Sequence, residues 1–212
     1  MRPTMKRLMT AVATVLVLAP ALPAAAETAP DQIAREVTDK IVALIKANRD
    51  AYARDFKKLY AMVDENLLPH FDFRKIAQQV LGPTWRSASA EQREKFTKEF
   101  RDLMVRTYGT ALLKYTDEQI VYQPLRSGAS DRIAVVRSTV QRSGGAPPIA
   151  INYSFFKSDS NWKVYDMSIE GPSIVTTYQR VYAERLQKDN LDAVIANLAD
   201  ENKRALSGAS PK

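Results

Sequence analysis

The sequence predicts an α+β domain in which helices flank one curved antiparallel sheet. Apolar residues recur at helical spacing through the first half of the chain, alternate with a period of two between about residues 118 and 170, and then return to helical spacing. Short turns rich in Gly, Ser, Asp or Pro separate the alternating segments, which is typical of consecutive hairpins. Because no internal repeat or long linker divides the chain, we expect a single domain.

Capping residues and turns indicate where the elements begin and end. Asp72 is predicted to cap one helix that Gly82 ends, Ser89 and Gln92 form a capping box at the start of a long helix, and a further helix begins at Ser173. The strands are predicted at residues 118–125, 132–141, 149–157 and 162–170.

Residues 1–26 have the features of a secretory signal peptide. Three basic residues precede the apolar segment Leu8–Leu22, and Ala24–Ala26 form a cleavage site of the A-x-A type. The apolar segment is too short to span a bilayer, and a retained N-terminal anchor is the less favoured alternative. We therefore expect a mature protein that is soluble in the periplasm or outside the cell.

Charge and cysteine content restrict the classes of partner and the source of stability. The chain has 31 Lys and Arg residues and 24 Asp and Glu residues. Without the three basic residues of the signal peptide, 28 basic and 24 acidic residues remain, which gives the mature chain a net charge of +4. An exported protein meets little nucleic acid, so lipid head groups and acidic protein surfaces are the expected anionic partners. The chain has no cysteine, so about 186 mature residues must fold by burial alone.

The residues that usually carry catalysis or bind metals are not arranged for either task. His70 is the only histidine, and one histidine without cysteine is a poor metal site. Gly144-Gly145 suits a hairpin turn and not a phosphate-binding loop. Asp166 and Glu170 share one face of a strand but lie roughly 13 Å apart, too far to act on one atom. We predict no catalytic residue and no metal site.

The third and fourth strands are predicted to share an apolar face. A three-residue loop at Asp159–Asn161 places two sets of residues on one side of the sheet. These residues are Ile149, Ile151, Tyr153 and Phe155 on the third strand and Tyr165, Met167 and Ile169 on the fourth. This face, and the tyrosines of the sheet half, belong either to an ordinary core or to the lining of a cavity with the hydroxyls near a wet mouth.

Several short motifs occur along the chain in an order that resembles the MlaC family, the periplasmic phospholipid-binding proteins of Gram-negative bacteria, also called toluene-tolerance proteins. The motifs are Phe71-Asp72-Phe73, Val80-Leu81-Gly82, Trp85-Arg86, Gln92-Arg93, Phe96, Leu103, Tyr108, Trp162-Lys163-Val164-Tyr165-Asp166, Glu170-Gly171 and Ser173. The resemblance covers about residues 31–200. Two positions depart from the family pattern. Pro172 stands where an aliphatic residue is commoner in the family. Asn190 stands near the position where a glycine often ends the penultimate helix, and Asn is the next best residue for a left-handed conformation there.

The resemblance implies a fold and a task. The fold is an NTF2-like curved sheet that, with helices, encloses a deep apolar cavity. The task is to carry phospholipid between an outer-membrane complex of the MlaA–porin type and an inner-membrane ABC transporter complex of the MlaFEDB type, which maintains outer-membrane lipid asymmetry. Acyl tails lie inside and the head group largely outside. The family implies a monomer without enzymatic activity, with bound phospholipid as ligand and no cofactor.

On this interpretation a single lipid-binding domain spans residues 27–205, followed by a disordered tail at 206–212. Ten residues are predicted to line its cavity: Tyr108, Leu112, Ile151, Tyr153, Phe155, Tyr165, Met167, Ile169, Ile174 and Tyr178. Two other functions stay open, namely a periplasmic adaptor with an ordinary core and an NTF2-like enzyme.

Overall fold

A computed structural model describes residues 28–114, 118–125, 132–158 and 161–206. The predicted signal peptide and the predicted tail beyond Leu206 lie outside the described residues. Among the described residues, no helix combines the length and the apolar character that a membrane span requires.

The α+β fold predicted from the sequence is confirmed. The elements are α1 (Pro30–Arg54), α2 (Phe56–Asn66), α3 (Phe73–Leu81), α4 (Thr84–Ser87), α5 (Ala90–Leu112), β1 (Gln119–Tyr122), β2 (Ile133–Gln141), β3 (Ile149–Ser158), β4 (Asn161–Ile169), α6 (Ile174–Lys188) and α7 (Leu191–Leu206). A 3-10 turn at Leu68–His70 joins α2 to α3. The strands form one antiparallel meander in the order β1-β2-β3-β4.

The predicted helix caps are present. The Asp72 carboxylate accepts from the Lys75 backbone N–H at 2.8 Å, and Ser89 with Gln92 forms the capping box of α5. Gly82 follows α3 with a φ of +53°, a left-handed value that a glycine adopts without strain. Asn190 does not take the left-handed conformation that would end α6; its side-chain oxygen instead accepts from the Ala193 N–H at 3.0 Å and caps α7.

A β-bulge determines which residues of β4 face the helices. Beyond the bulge, Tyr153 pairs with Met167 and Ile151 with Ile169, as the predicted register requires. On the other side of the bulge Phe155 pairs with Val164, so two residues stand between the inward-facing Val164 and Met167 where a regular strand has one. We call the side formed by Phe155, Val164, Met167 and their in-register neighbours the inner face, and the opposite side the outer face.

The free edge of β4 is closed by segments from both sides of the sequence. Phe71 forms a parallel bridge with Val164, and the Asp72 N–H donates to the Val164 carbonyl at 2.9 Å. Farther along, Ser173 bridges Ser168, and the Asp166 carboxylate accepts from the Val175 N–H at 3.1 Å. Because Val175 lies in the first turn of α6, Asp166 satisfies a backbone donor that this helix cannot satisfy itself.

Within the described part of the chain, the buried residues form three separate clusters and not one central core. The first joins α3, α4, α5, α6 and α7 around Phe96, Phe100 and Tyr182. The second joins α1, α2 and α5 around Ile45 and Leu59. The third, which includes Ala34, Ala134, Val136, Phe155 and Val164, joins α1 to one end of the sheet. All three contribute residues to the walls of a common internal space.

Hydroxyl groups hold α1 to the sheet. The Tyr122 hydroxyl donates to the Ala34 carbonyl at 3.2 Å. The Tyr153 hydroxyl is buried close to Ser138 and Thr38, and Thr38 belongs to α1. Burial of this hydroxyl raises the pKa of Tyr153 to about 12.

Replacement of Asp166 by Ala is expected to lower the free energy of unfolding by about 1–2 kcal/mol, because the first turn of α6 loses an acceptor for its N–H. Chemical denaturation measures the change. Asp39→Ala, at an exposed carboxylate on α1, is the matched control and is expected to change the free energy by no more than about 0.5 kcal/mol. Equal effects of the two substitutions would contradict the capping role.

The pKa of Tyr153 predicts a loss of stability at high pH. Tyr153 keeps its proton up to about pH 12 in the folded protein, whereas the unfolded chain loses it near the model value of 10.0. The unfolded state therefore binds fewer protons than the folded state between these values, and the free energy of unfolding falls as the pH rises from about 10 to 12. Denaturation at several pH values should show a shallower fall for Tyr153→Phe; an unchanged slope would contradict this assignment.

Candidate functional site

An internal space of about 520 Å³ lies between the inner face of the sheet and the surrounding helices. Its walls are almost entirely apolar. The helices contribute Ile33, Val37, Ile41, Ile45, Val63, Phe73, Ile76, Met104, Val105, Leu112, Ile174 and Val175, and the strands contribute Ile120, Val140, Ile149, Ile151, Phe155, Val164, Met167 and Ile169. We call this space the cavity.

Burial changes along the inner face and shows which end of the cavity is open. At one end Phe155 and Val164 are only 1% and 3% exposed. At the other end Ile149, Ile151 and Ile169 are partly exposed although their side chains are apolar. This second end contains the close of β2, the start of β3 and the close of β4. The exposed Arg142, which directly follows β2, also lines the cavity, and this places the mouth of the cavity at the second end.

Eight of the ten residues predicted to line a cavity do contribute to its walls: Tyr108, Leu112, Ile151, Tyr153, Phe155, Met167, Ile169 and Ile174. Tyr165 does not. The bulge turns it to the outer face, where its ring makes an edge contact with Phe156 at 5.8 Å and lies 5.9 Å from the Lys75 ammonium. A strict period of two places Tyr165 on the wrong face because it takes no account of an inserted residue.

Tyr178, the second exception, does not line the cavity but packs behind a residue that does. Its ring makes an edge contact with Phe100 at 5.2 Å and lies 6.5 Å from Tyr182, within the first buried cluster. Its hydroxyl meets that of Tyr108, a wall residue. Burial, with the neighbouring Tyr178 as a further cause, raises the pKa of Tyr108 to about 12.

Helix α1 supplies a large part of the cavity walls, although none of the ten residues predicted to line the cavity belongs to it. Ile33, Val37 and Ile41 lie along one side of the cavity. Their helical spacing is visible in the sequence, but such a stripe is equally typical of a helix in a close-packed core. The spacing thus identifies the buried side of α1. It does not show whether that side faces other side chains or a cavity.

The polar groups that reach the cavity are mostly engaged within the protein. Asp166 binds the start of α6, and the Tyr153 hydroxyl is buried between α1 and the sheet, not at a wet mouth as one interpretation of the tyrosines suggested. Burial, followed by the cations Lys163 and Lys40, lowers the pKa of His70, so this imidazole is neutral at pH 7. Among the described residues, no group of three His, Asp or Glu side chains is placed to hold a metal ion.

Charged side chains reach the cavity at its mouth. Lys114 follows the end of α5, Glu118 precedes β1, and Arg142 follows β2. We call these three residues the rim. An apolar interior with a charged rim is suited to a ligand with long apolar chains and a polar end.

The chain is similar in sequence to known phospholipid-transport and toluene-tolerance proteins. The family model described as MlaC protein matches residues 35–200. The intermembrane phospholipid transport system binding protein MlaC of Haemophilus influenzae is 30% identical over 177 residues, which make up 82% of this chain and 83% of that protein. Toluene tolerance protein ttg2D of Pseudomonas putida is 25% identical over 193 residues, 90% of this chain and 88% of that protein.

A solved structure extends the comparison to the fold. The phospholipid-binding protein of Ralstonia solanacearum, determined in complex with a phospholipid, superposes with a TM-score of 0.76 at 31% sequence identity. The match covers 82% of this chain and 97% of that one. With a family model that spans most of its length and relatives that align over most of theirs, this chain belongs to the MlaC family.

Proposed function

We propose that the protein is a periplasmic phospholipid carrier that holds acyl tails in the cavity and performs no covalent chemistry. The observation that carries the proposal is the uncovered stretch of the inner face, where Ile149, Ile151 and Ile169 are partly exposed inside an apolar cavity. Apolar side chains in such a position gain free energy when an apolar ligand replaces water. The phospholipid bound by the Ralstonia solanacearum relative supports acyl chains as that ligand.

The energetics of lipid transfer explain why a carrier is needed. Two acyl tails contain on the order of 30 methylenes, and at about 0.8 kcal/mol each their exposure to water costs about 24 kcal/mol. Unaided diffusion between two membranes is therefore negligible. The cavity volume of about 520 Å³ falls within the range of about 300–1,000 Å³ usual for ligand pockets.

The direction of the lipid in the cavity follows from the burial gradient. The ends of the tails lie toward Phe155 and Val164, the closed end, and the glycerol and head group lie at the mouth beside Ile149 and Ile169. In this orientation the polar part of the lipid keeps its contact with water and with the charged rim. Burial of an unpaired head-group charge at the closed end would cost several kcal/mol.

The proposed partners are the membrane complexes between which the lipid moves, an outer-membrane complex of the MlaA–porin type and an inner-membrane ABC transporter of the MlaFEDB type. The protein would visit both as a monomer and so maintain outer-membrane lipid asymmetry. The names of the relatives, an intermembrane phospholipid transport system binding protein and a toluene tolerance protein, support this role. They favour a carrier over an NTF2-like enzyme.

Export is part of the proposal. Cleavage after Ala26 gives a mature chain that begins at Glu27. Intact-mass measurement of protein from the periplasm is expected to give the mass of a chain starting there. A mass that includes Met1 would contradict cleavage.

Replacement of Ile169 by Glu tests the cavity directly. The substitution places a carboxylate where acyl chains would lie, so lipid retention is expected to fall at least about tenfold. Because the side chain is near the mouth, water can reach the carboxylate and the domain should still fold, with a loss in Tm of about 2–8 °C. Extraction and mass spectrometry of bound lipid, together with thermal melts on the same preparation, give both quantities.

The matched control is Ile133→Glu, which introduces the same charge on the outer face. Ile133 is 49% exposed and pairs with Phe156 on that face. This variant is expected to keep its full lipid load. An Ile169→Glu protein that folds and keeps its lipid would refute the carrier site. Unfolding of Ile169→Glu together with a wild-type protein that contains no lipid would favour the adaptor with an ordinary core.

A further inference from the structure

We propose that Leu68, Phe71 and Phe73, which we call the partition, limit the length of the acyl tails that the cavity can hold. The inference rests on the proposed function and adds a tail-length class to it: lipids whose tails are about as long as one membrane leaflet is thick, in preference to longer ones. It is motivated by a second space in the structure, a surface groove of about 580 Å³ behind the closed end of the cavity.

The partition separates the cavity from this groove. Leu68, Phe71 and Phe73 contribute to the walls of both spaces, so a single layer of side chains lies between them at this point. The rings of Phe71 and Phe73 are stacked, with their centroids 5.8 Å apart. Leu68 is buried, whereas Phe71 and Phe73 are partly exposed, as expected for aromatic side chains with open space on both sides.

The partition stands where the tail ends are proposed to lie. Phe71 forms a parallel bridge with Val164, and Val164 pairs with Phe155. The Phe71 side chain also packs against the third buried cluster, which contains both of these residues. A tail that runs along the inner face toward Phe155 therefore ends at the partition.

The inner face between the mouth and the partition is about as long as one membrane leaflet is thick. From Ile149 to Phe155 on β3 it spans about 20 Å, at about 3.3 Å per residue. The hydrocarbon core of a bilayer is about 30 Å thick, so a tail in one leaflet spans about 15 Å. A tail of that length fits. A markedly longer tail meets the partition, which displaces its glycerol end outward and leaves methylenes in water.

The groove can receive a tail end once the partition is opened. Its walls include Pro69 and the partition, and charged side chains stand around them. Arg101 pairs with Asp64 at 3.1 Å, and Lys98 pairs with Asp102 at 3.0 Å. The carbon stems of Lys and Arg can cover apolar surface while their charges stay paired in water. Loss of an aromatic ring from the partition would therefore extend the apolar path beyond the closed end.

A competition between two lipids of different tail length tests the partition. Lipid-free protein is exposed to equal amounts of phosphatidylglycerol with two hexadecenoyl tails and phosphatidylglycerol with two docosenoyl tails, dispersed in a neutral detergent. The bound lipids are then extracted and quantified by mass spectrometry. Wild type is expected to be enriched in the shorter lipid at least about tenfold, because about two methylenes left in water are enough for that ratio.

Replacement of Phe73 by Ala is expected to remove most of this enrichment, while total lipid per chain stays unchanged. Phe73→Leu keeps an apolar side chain of shorter reach and is expected to shift the ratio in the same direction by a smaller factor. The two variants are compared because Phe73→Leu keeps more of the packing at the start of α3 and decides the question if Phe73→Ala does not fold.

The matched control is Phe156→Ala, which removes a partly exposed ring from the outer face, where it contacts Tyr165 at 5.8 Å. This variant is expected to keep the wild-type ratio. The proposal is overturned if a folded Phe73 variant keeps the wild-type ratio, or if Phe156→Ala changes the ratio equally. If wild type takes up neither lipid, the carrier function itself fails. If wild type takes up both lipids without enrichment, only the length limit fails.

Discussion

The inner face of the sheet is covered by side chains at one end and left uncovered at the other, and most of the structure follows from this constraint. Phe155 and Val164 are buried, whereas Ile149, Ile151 and Ile169 retain contact with the cavity. Full burial of an Ile side chain stabilises the folded state by about 1.5–3 kcal/mol. Each of these partly exposed Ile residues contributes less than that amount. The stability of the domain must therefore come from the three buried clusters that surround the cavity.

The edge of the sheet is organised around the same requirement. The bulge in β4 diverts one residue, Tyr165, to the outer face and keeps Met167 and Ile169 directed into the cavity. Phe71 and Asp72 pair with the edge of β4 at Val164, and Asp166 anchors the start of α6. Segments from before and after the sheet thus hold β4 without filling the space in front of it. An edge strand covered by its own chain is also protected from pairing with other molecules.

Local patterns in the sequence were sufficient for much of this architecture. Asp72, Ser89 and Gln92 act as the capping rules predicted, and the pairing of Tyr153 with Met167 follows from alternation. The prediction for Tyr165 was wrong for a specific reason. Asn161 pairs with Ser158 and so belongs to β4, and the bulge compensates for the shorter loop, which restores the predicted register beyond it. The shorter loop shifts the register by one residue, and the bulge shifts it back. Beyond the bulge the apolar residues alternate as they would without either change, so the alternation pattern reveals neither the shorter loop nor the bulge.

Features that depend on tertiary contacts cannot be predicted from local sequence patterns. The rim residues are separated by many positions in the chain and come together only when the end of α5 meets the start of the sheet. Likewise, the stripe of Ile33, Val37 and Ile41 on α1 has the same spacing whether it faces a core or a cavity. Tyr178 follows Ile174 by about one helical turn, so spacing alone places both on the same side of α6, but its ring packs against Phe100 and its hydroxyl lies next to that of Tyr108.

Photo-crosslinking can determine whether acyl tails lie along the inner face with their ends at Phe155 and Val164. A phospholipid with a diazirine at the tail end is loaded into the protein, irradiated, and the labelled peptides are mapped by mass spectrometry. Labels are expected near Ala34, Phe155 and Val164, the residues of the closed end. Labels concentrated on the outer face, at Ile133, Phe156 or Tyr165, would contradict it.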